Sequence, residues 1–190
     1  MSRNFAARMA AGAAGVATVS SFALAAPAGQ LTLTSAEAAN GKMMAMEQVL
    51  NGFGCAGGNV SPGLKWSDAP AGTKSFALTL YDPDAPTGSG WWHWVVVDIP
   101  ANTRELPKGV GKSGTVMLPG GARQTRTDFG APGYGGPCPP PGKPHRYVIT
   151  LTALDIDKLP VPDDASGALV GFNVGAHSLA KGMITAQYGR

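Results

Sequence analysis

Three short stretches hold the residue types best suited to chemistry. Tyr81-Asp82-Pro83-Asp84-Ala85-Pro86 puts two carboxylates on a proline-stiffened turn. Trp91-Trp92-His93-Trp94 sets an imidazole among indoles, and His145-Arg146-Tyr147 sets a second imidazole two residues from a phenol. Two imidazoles and a phenol offer hydrogen-bond donors, and a carboxylate beside them can fix an imidazole tautomer. If Asp82, His93, His145 and Tyr147 meet, the group suits a small oxyanion such as a phosphate monoester. Backbone N–H groups near Gly136 and Cys138 would add donors, as glycine-rich turns do. Polar groups among bulky aromatics are costly to bury without partners. These residues are therefore either a satisfied structural network or the floor of a binding site.

Other chemistries compete at this stage. The histidines are equally readable as satisfied core residues. Two histidines and a carboxylate can also bind a metal, although no local His pair is present. A general-base or metal-dependent hydrolase would use His93, His145 and Asp82 but needs a nucleophile. Ser61 sits in Gly58-Asn59-Val60-Ser61-Pro62-Gly63, one residue too long for G-x-S-x-G. Asp128-Phe129-Gly130 matches a kinase tripeptide, but no glycine-rich loop or catalytic-loop Asp accompanies it. Gly52-Phe53-Gly54-Cys55-Ala56-Gly57 matches G-x-G-x-x-G. The Pro62 and glycines that follow forbid the helix a dinucleotide site needs, so it reads as a loop.

The elements that must position these residues are mostly strands. Ser75–Tyr81 is a strand with Phe76, Leu78 and Leu80 on one face. Trp92–Asp98 is a second, and its Val95-Val96-Val97 run predicts a central strand buried on both faces. His145–Leu154 is a third, placing His145, Tyr147 and Ile149 on one face. Gln30–Thr34 and Leu64–Trp66 read as shorter strands. Pro83 and Pro86 end the first long strand, and a cis Ala85–Pro86 bond is one way to aim the carboxylates. Tyr134 to Gly142 reads as an ordered proline-rich loop. Asp163–Ser166 starts a helix over Ala168–Ala180 with Leu169, Phe172, Ala176 and Leu179 on its apolar face. Gly182 ends that helix, and Met183–Ala186 is a last strand.

Arg3 and Arg8, an apolar stretch from Met9 to Ala26 and two A-x-A sites (Ala23-Leu24-Ala25 and Ala26-Pro27-Ala28) describe a secretory signal. The boundary falls after residue 25, or as late as 28, leaving one domain over 26–190 and predicting a periplasmic or secreted protein. The chain has 15 Lys and Arg against 12 Asp and Glu, so without Arg3 and Arg8 the balance is 13 against 12, a net +1. No basic stripe remains, which makes nucleic acid a poor partner. The 27 glycines and 16 prolines suit short strands joined by turns rather than a helical bundle. Export permits a disulfide between the two cysteines, Cys55 and Cys138, both in Gly/Pro-rich loops.

Asp82-Pro83-Asp84-Ala85-Pro86, His93-Trp94, Gly136-Pro137-Cys138-Pro139-Pro140 and His145-Arg146-Tyr147, in that order, resemble the phosphatidylethanolamine-binding protein family. The likeness is greatest to its bacterial, Raf kinase inhibitor-like branch. It extends to Ser61-Pro62 with Trp66, to Gln124–Gly130 and to Ser166–Gly171. The resemblance implies a mainly β fold: a β-sandwich of two antiparallel Greek-key sheets with a few peripheral helices. It also implies a non-catalytic protein with a pocket for phosphate or a phospholipid head group, able to act as an inhibitor of another protein. Asp82, His93, His145 and Tyr147 match the family's pocket, Asp84 and Pro86 its shaping loop, and Cys138-Pro139 an edge that is glycine then proline in animal members. No cofactor, metal or catalytic residue is implied. The expected partners are a small anionic ligand and a protein target, and the processed chain is not expected to span a membrane. The covering C-terminal segment of animal members has no counterpart after Arg190, so a more open pocket is expected.

Overall fold

The computed structural model describes Met1 and residues 31–190. The stretch read from sequence as an export signal lies, apart from Met1, outside the described residues. The described chain is mainly β. In order, the strands are β1 (Thr32–Thr34), β2 (Asn51–Gly52), β3 (Cys55–Ala56), β4 (Leu64–Ser67), β5 (Ser75–Asp82), β6 (Trp91–Pro100), β7 (Glu105–Leu106), β8 (Arg123–Gln124), β9 (His145–Leu154) and β10 (Ser178–Tyr188). One α-helix, α1 (Gly167–His177), precedes β10, and a 3-10 turn covers Pro119–Gly121.

The main sheet has the order β10-β9-β5-β6-β8, and every pairing in it is antiparallel. β5 and β6 are sequential neighbours, and the chain returns through β9 to β5's other side, a Greek-key step. A smaller sheet, β1-β4-β7, faces it. Period-two alternation explains the layering. Phe76, Leu78 and Leu80 of β5 join Trp94 and Val96 in a core with Leu33, Leu64, Trp66 and Leu106 of the small sheet. Ala77, Val95 and Val97 point the other way, against Val170 and Val174 of α1. The main sheet is thus covered on both faces, which is why the valine run of β6 has no polar alternation. Its neighbour β8 is only two residues long, so β5, not β6, is the middle strand.

The end of the chain departs from the spacing-based reading. α1 stops at His177, so Leu179 and Ala180 belong to β10, and Gly182 lies inside that strand opposite Leu151. Ten residues of β10 pair with β9, and this ladder outweighs the helical spacing. Gly182 is needed for approach rather than termination, because a Cβ there would lie 2.6 Å from the Leu31 carbonyl oxygen. The helix face differs as well. Gly167, Val170 and Val174 are buried while Leu169 and Phe172 are exposed. A Cβ at Gly167 would sit 2.4 Å from the Trp92 indole, so a small residue lets the helix close onto it. Ser166 caps α1, its hydroxyl accepting the Leu169 N–H at 3.3 Å. All described peptide bonds are trans, Ala85–Pro86 included.

Candidate functional site

Three strands of the main sheet end together. Asp82 is the last residue of β5 and pairs with Trp91 at the start of β6; His93 follows two residues on, and His145 opens β9. Period two places His145 and Tyr147 on the same face of β9. The result is a cavity of about 340 Å³ lined by Asp82, His93, His145 and Tyr147. Pro86, Cys138 and Pro139 form part of its rim.

The polar floor is ordered by specific bonds. His145 Nδ1 lies 2.8 Å from Asp82 Oδ2, and Asp82 Oδ1 accepts the Asp84 N–H at 2.8 Å. Both Asp82 oxygens are engaged, which suits a carboxylate only 3 % exposed. His93 Nδ1 is 2.7 Å from the Gly135 carbonyl oxygen. A carbonyl can only accept, so Nδ1 carries a proton, and in the neutral form of the ring Nε2 is then the acceptor. Burial pushes the His93 imidazolium below its ordinary value, against the opposing pull of the Gly135 carbonyl and the Asp82 charge. The Tyr147 hydroxyl is buried close to the Asp82 carboxylate, yet no described residue meets it at hydrogen-bond geometry. Burial and then the neighbouring Asp82 charge hold its proton well above the usual phenol range.

Asp84 does not line this cavity. Its carboxylate grips Arg146 in a fork, with Oδ2 accepting from the backbone N and Nε at 2.9 Å each and Oδ1 from a terminal nitrogen at 2.7 Å. The Arg146 guanidinium holds the Asp84 carboxyl well below the usual carboxylate range. Asp84 therefore ties the β5 turn to β9. Gly136 N–H is likewise spent, on Asn59 Oδ1 at 2.7 Å.

Several wall residues escaped the sequence reading. Phe129 stacks on Phe53 at 5.8 Å and meets Trp91 and His93 edge-on at 5.4 Å each. Its flanking residues hold it there. Asp128 Oδ2 accepts the Trp92 N–H at 2.7 Å, Gly130 has φ +87°, and a Cβ at Gly135 would lie 2.2 Å from the Phe129 ring. The sequence signal for Phe129 is the resemblance of Gln124–Gly130 to the family, which names no pocket role for it. Arg190 also lines the cavity, and its guanidinium binds the Pro139, Gly54 and Phe53 carbonyls at 2.7, 3.2 and 3.4 Å. Nothing in local spacing marks it. Cys55 and Cys138 form a disulfide joining the β2–β3 hairpin to the proline-rich loop. Among the described residues no group of three His, Cys, Asp or Glu side chains is placed to hold a metal ion.

The neutral, buried His93 has a consequence for stability. Unfolded chain takes up a proton near the ordinary histidine value of about 6.5, whereas the native ring resists it. Its contribution is thus present above that value and lost as pH falls below it, at up to about 1.4 kcal/mol per pH unit. Urea titrations at neutral and mildly acid pH should show a smaller acid loss for His93→Gln than for the wild type. Equal slopes in the two proteins would contradict a neutral native ring.

Comparison with known proteins gives this mainly β sandwich its class. The family model for phosphatidylethanolamine-binding protein matches residues 34–189. The UPF0098 protein YbhB of Escherichia coli K12 is 57% identical over 158 residues, covering 83% of this chain and 99% of that protein. YbcL of the same organism is 51% identical over 175 residues, covering 91% of this chain and 96% of its own. The crystal structure of E. coli YbcL, described as a new member of the mammalian PEBP family, superposes with a TM-score of 0.82 over 85% of this chain and 99% of that one. The chain belongs to the phosphatidylethanolamine-binding protein family.

Proposed function

We propose that the chain is a non-catalytic binding protein whose strand-end cavity takes a small anion, a phosphate ester or a phospholipid head group. The observation that carries this is the Tyr147 hydroxyl: a buried polar group with no protein partner among the described residues, beside two imidazoles in an open cavity. A ligand oxygen would supply its missing bond. Phe53, Phe129 and Trp91 give the mouth aromatic walls that suit the organic part of an ester. Ligand occupancy then governs binding or inhibition of another protein. Residues 1–25 act as an export signal and 26–190 as one domain, delivering the protein to the periplasm or the medium. The Cys55–Cys138 bond supports that destination, since disulfides persist in oxidising compartments. Among the described residues no helix is long and apolar enough to cross a membrane.

Isothermal titration with a phosphate ester tests the reading. His93→Ala and His145→Ala should each weaken binding by at least about 1.5 kcal/mol, the scale of a charge-assisted hydrogen bond. Affinity equal to wild type in both variants would remove the cavity from the account.

A further inference from the structure

The floor of the cavity holds little positive charge for an anion to meet. Asp82 brings a carboxylate to it, and His145, bonded to Asp82 Oδ2 at 2.8 Å, at most cancels that charge when protonated. His93 is buried, with the Phe129 and Tyr147 rings edge-on at 5.4 and 5.2 Å, and such burial opposes a charge on its ring. Arg146, next to His145 in sequence, is neutralised by its fork with Asp84. An anion on this floor therefore needs a cation from elsewhere.

One cation is placed to supply it. Among the described residues Arg190 is the one Lys or Arg that lines the cavity. No ion pair among the described residues includes it. Its guanidinium instead donates to the Pro139, Gly54 and Phe53 carbonyls at 2.7, 3.2 and 3.4 Å. Neutral carbonyls fix a guanidinium in place without cancelling its charge. These three bonds leave one N–H on each terminal nitrogen without a partner among the described residues. The Arg190 backbone oxygen accepts the Gly142 N–H at 3.0 Å, and Gly142 is not part of the cavity lining.

We propose that Arg190 supplies the attracting charge of this cavity: a guanidinium pinned at the rim that draws a phosphate ester in and holds it there. This rests on the anion reading above and deepens it. The pull acts on monoesters and diesters alike, because it depends on charge. Arg190 is exposed, so salt must screen its effect.

Phenyl phosphate at about pH 8, where a phosphate monoester is close to doubly charged, is the probe. Isothermal titration at about 20 and 200 mM salt brackets strong and weak screening. Arg190→Gln removes the charge, whereas Arg190→Lys keeps it and loses the three-carbonyl fork. Wild-type affinity should fall as salt rises. Arg190→Lys should stay within about threefold of wild type and keep that salt dependence. Arg190→Gln should bind about tenfold more weakly at low salt and lose most of the salt dependence. Wild-type affinity in Arg190→Gln overturns the inference. Equal losses in both variants, with salt dependence intact, also overturn it and make Arg190 a structural pin. Either result leaves the anion cavity standing. Wild-type affinity that is the same at both salt concentrations overturns the inference without any substitution. Failure of wild type to bind phenyl phosphate at all overturns both readings.

Discussion

Replacing Cys55 and Cys138 together by alanine is expected to lower the unfolding free energy by about 4–5 kcal/mol on the chain-entropy account of cross-links. The bond spans 83 residues, so its removal releases a long loop in the unfolded chain. The cost in function should be separate and local. Cys138 lies on the cavity rim, and Cys55 anchors the hairpin that carries Phe53. Bonds that still hold the two regions include those of the Arg190 guanidinium, the Leu50 N–H to the Pro137 carbonyl at 3.1 Å and the Gly136 N–H to Asn59 Oδ1. The double variant should therefore remain folded at low temperature with a looser rim and weaker ligand binding. Chemical denaturation of oxidised wild type beside the double variant measures the first effect. A difference below about 1 kcal/mol would mean the unfolded chain gains little freedom when the link is cut.

The second large effect lies at the opposite end of the main sheet. Asp98 is buried, with Oδ2 on Arg123 Nε at 2.7 Å and Oδ1 accepting the Leu159 N–H at 2.7 Å. Arg123 continues to Asp163 and to the Val161 carbonyl. The guanidinium thus ties β6 and β8 to the segment leading into α1. Arg123→Met keeps much of the apolar stem and strands a buried carboxylate. Removing one partner of a buried pair typically costs about 3–5 kcal/mol. Adding Asp98→Asn should recover part of that loss, and urea unfolding of the two variants measures both numbers. Near-additive losses in the double variant would show that the two groups are not coupled.

The strands that build the site were legible because each carries a strong local signal. β5, β6 and β9 combine β-branched and aromatic runs with alternation, and proline ends β5. Asp82, His93, His145 and Tyr147 could be named for the same reason: they sit at fixed places on those strands, and four ordered motifs matched a known family. Their bonding could not be read. Whether His93 gives or takes a hydrogen bond depends on the Gly135 carbonyl, 42 residues away. Asp84 is expected to shape the pocket because its loop matches the family's, and the fork that fastens that loop to Arg146 is a long-range contact local sequence does not show. The C-terminal helix ran too long in the sequence reading because the ladder with β9, invisible to local spacing, claims Leu179 onward. Phe53 and Phe129 come from two loops and Arg190 from the segment after β10, and none of the three meets its neighbours through local spacing.

Tyr147→Phe is the most direct measurement of whether these groups converge for a ligand. The hydroxyl makes no hydrogen bond to the described protein. Losing a buried, unpaired polar atom while keeping the ring should leave stability unchanged or slightly raised. Affinity for a phosphate ester should fall by about 1 kcal/mol or more, since the ligand loses a donor. Stability and affinity must therefore move apart. A variant that binds as wild type does, or that loses stability instead of affinity, would contradict the claim that this hydroxyl is reserved for a visiting anion.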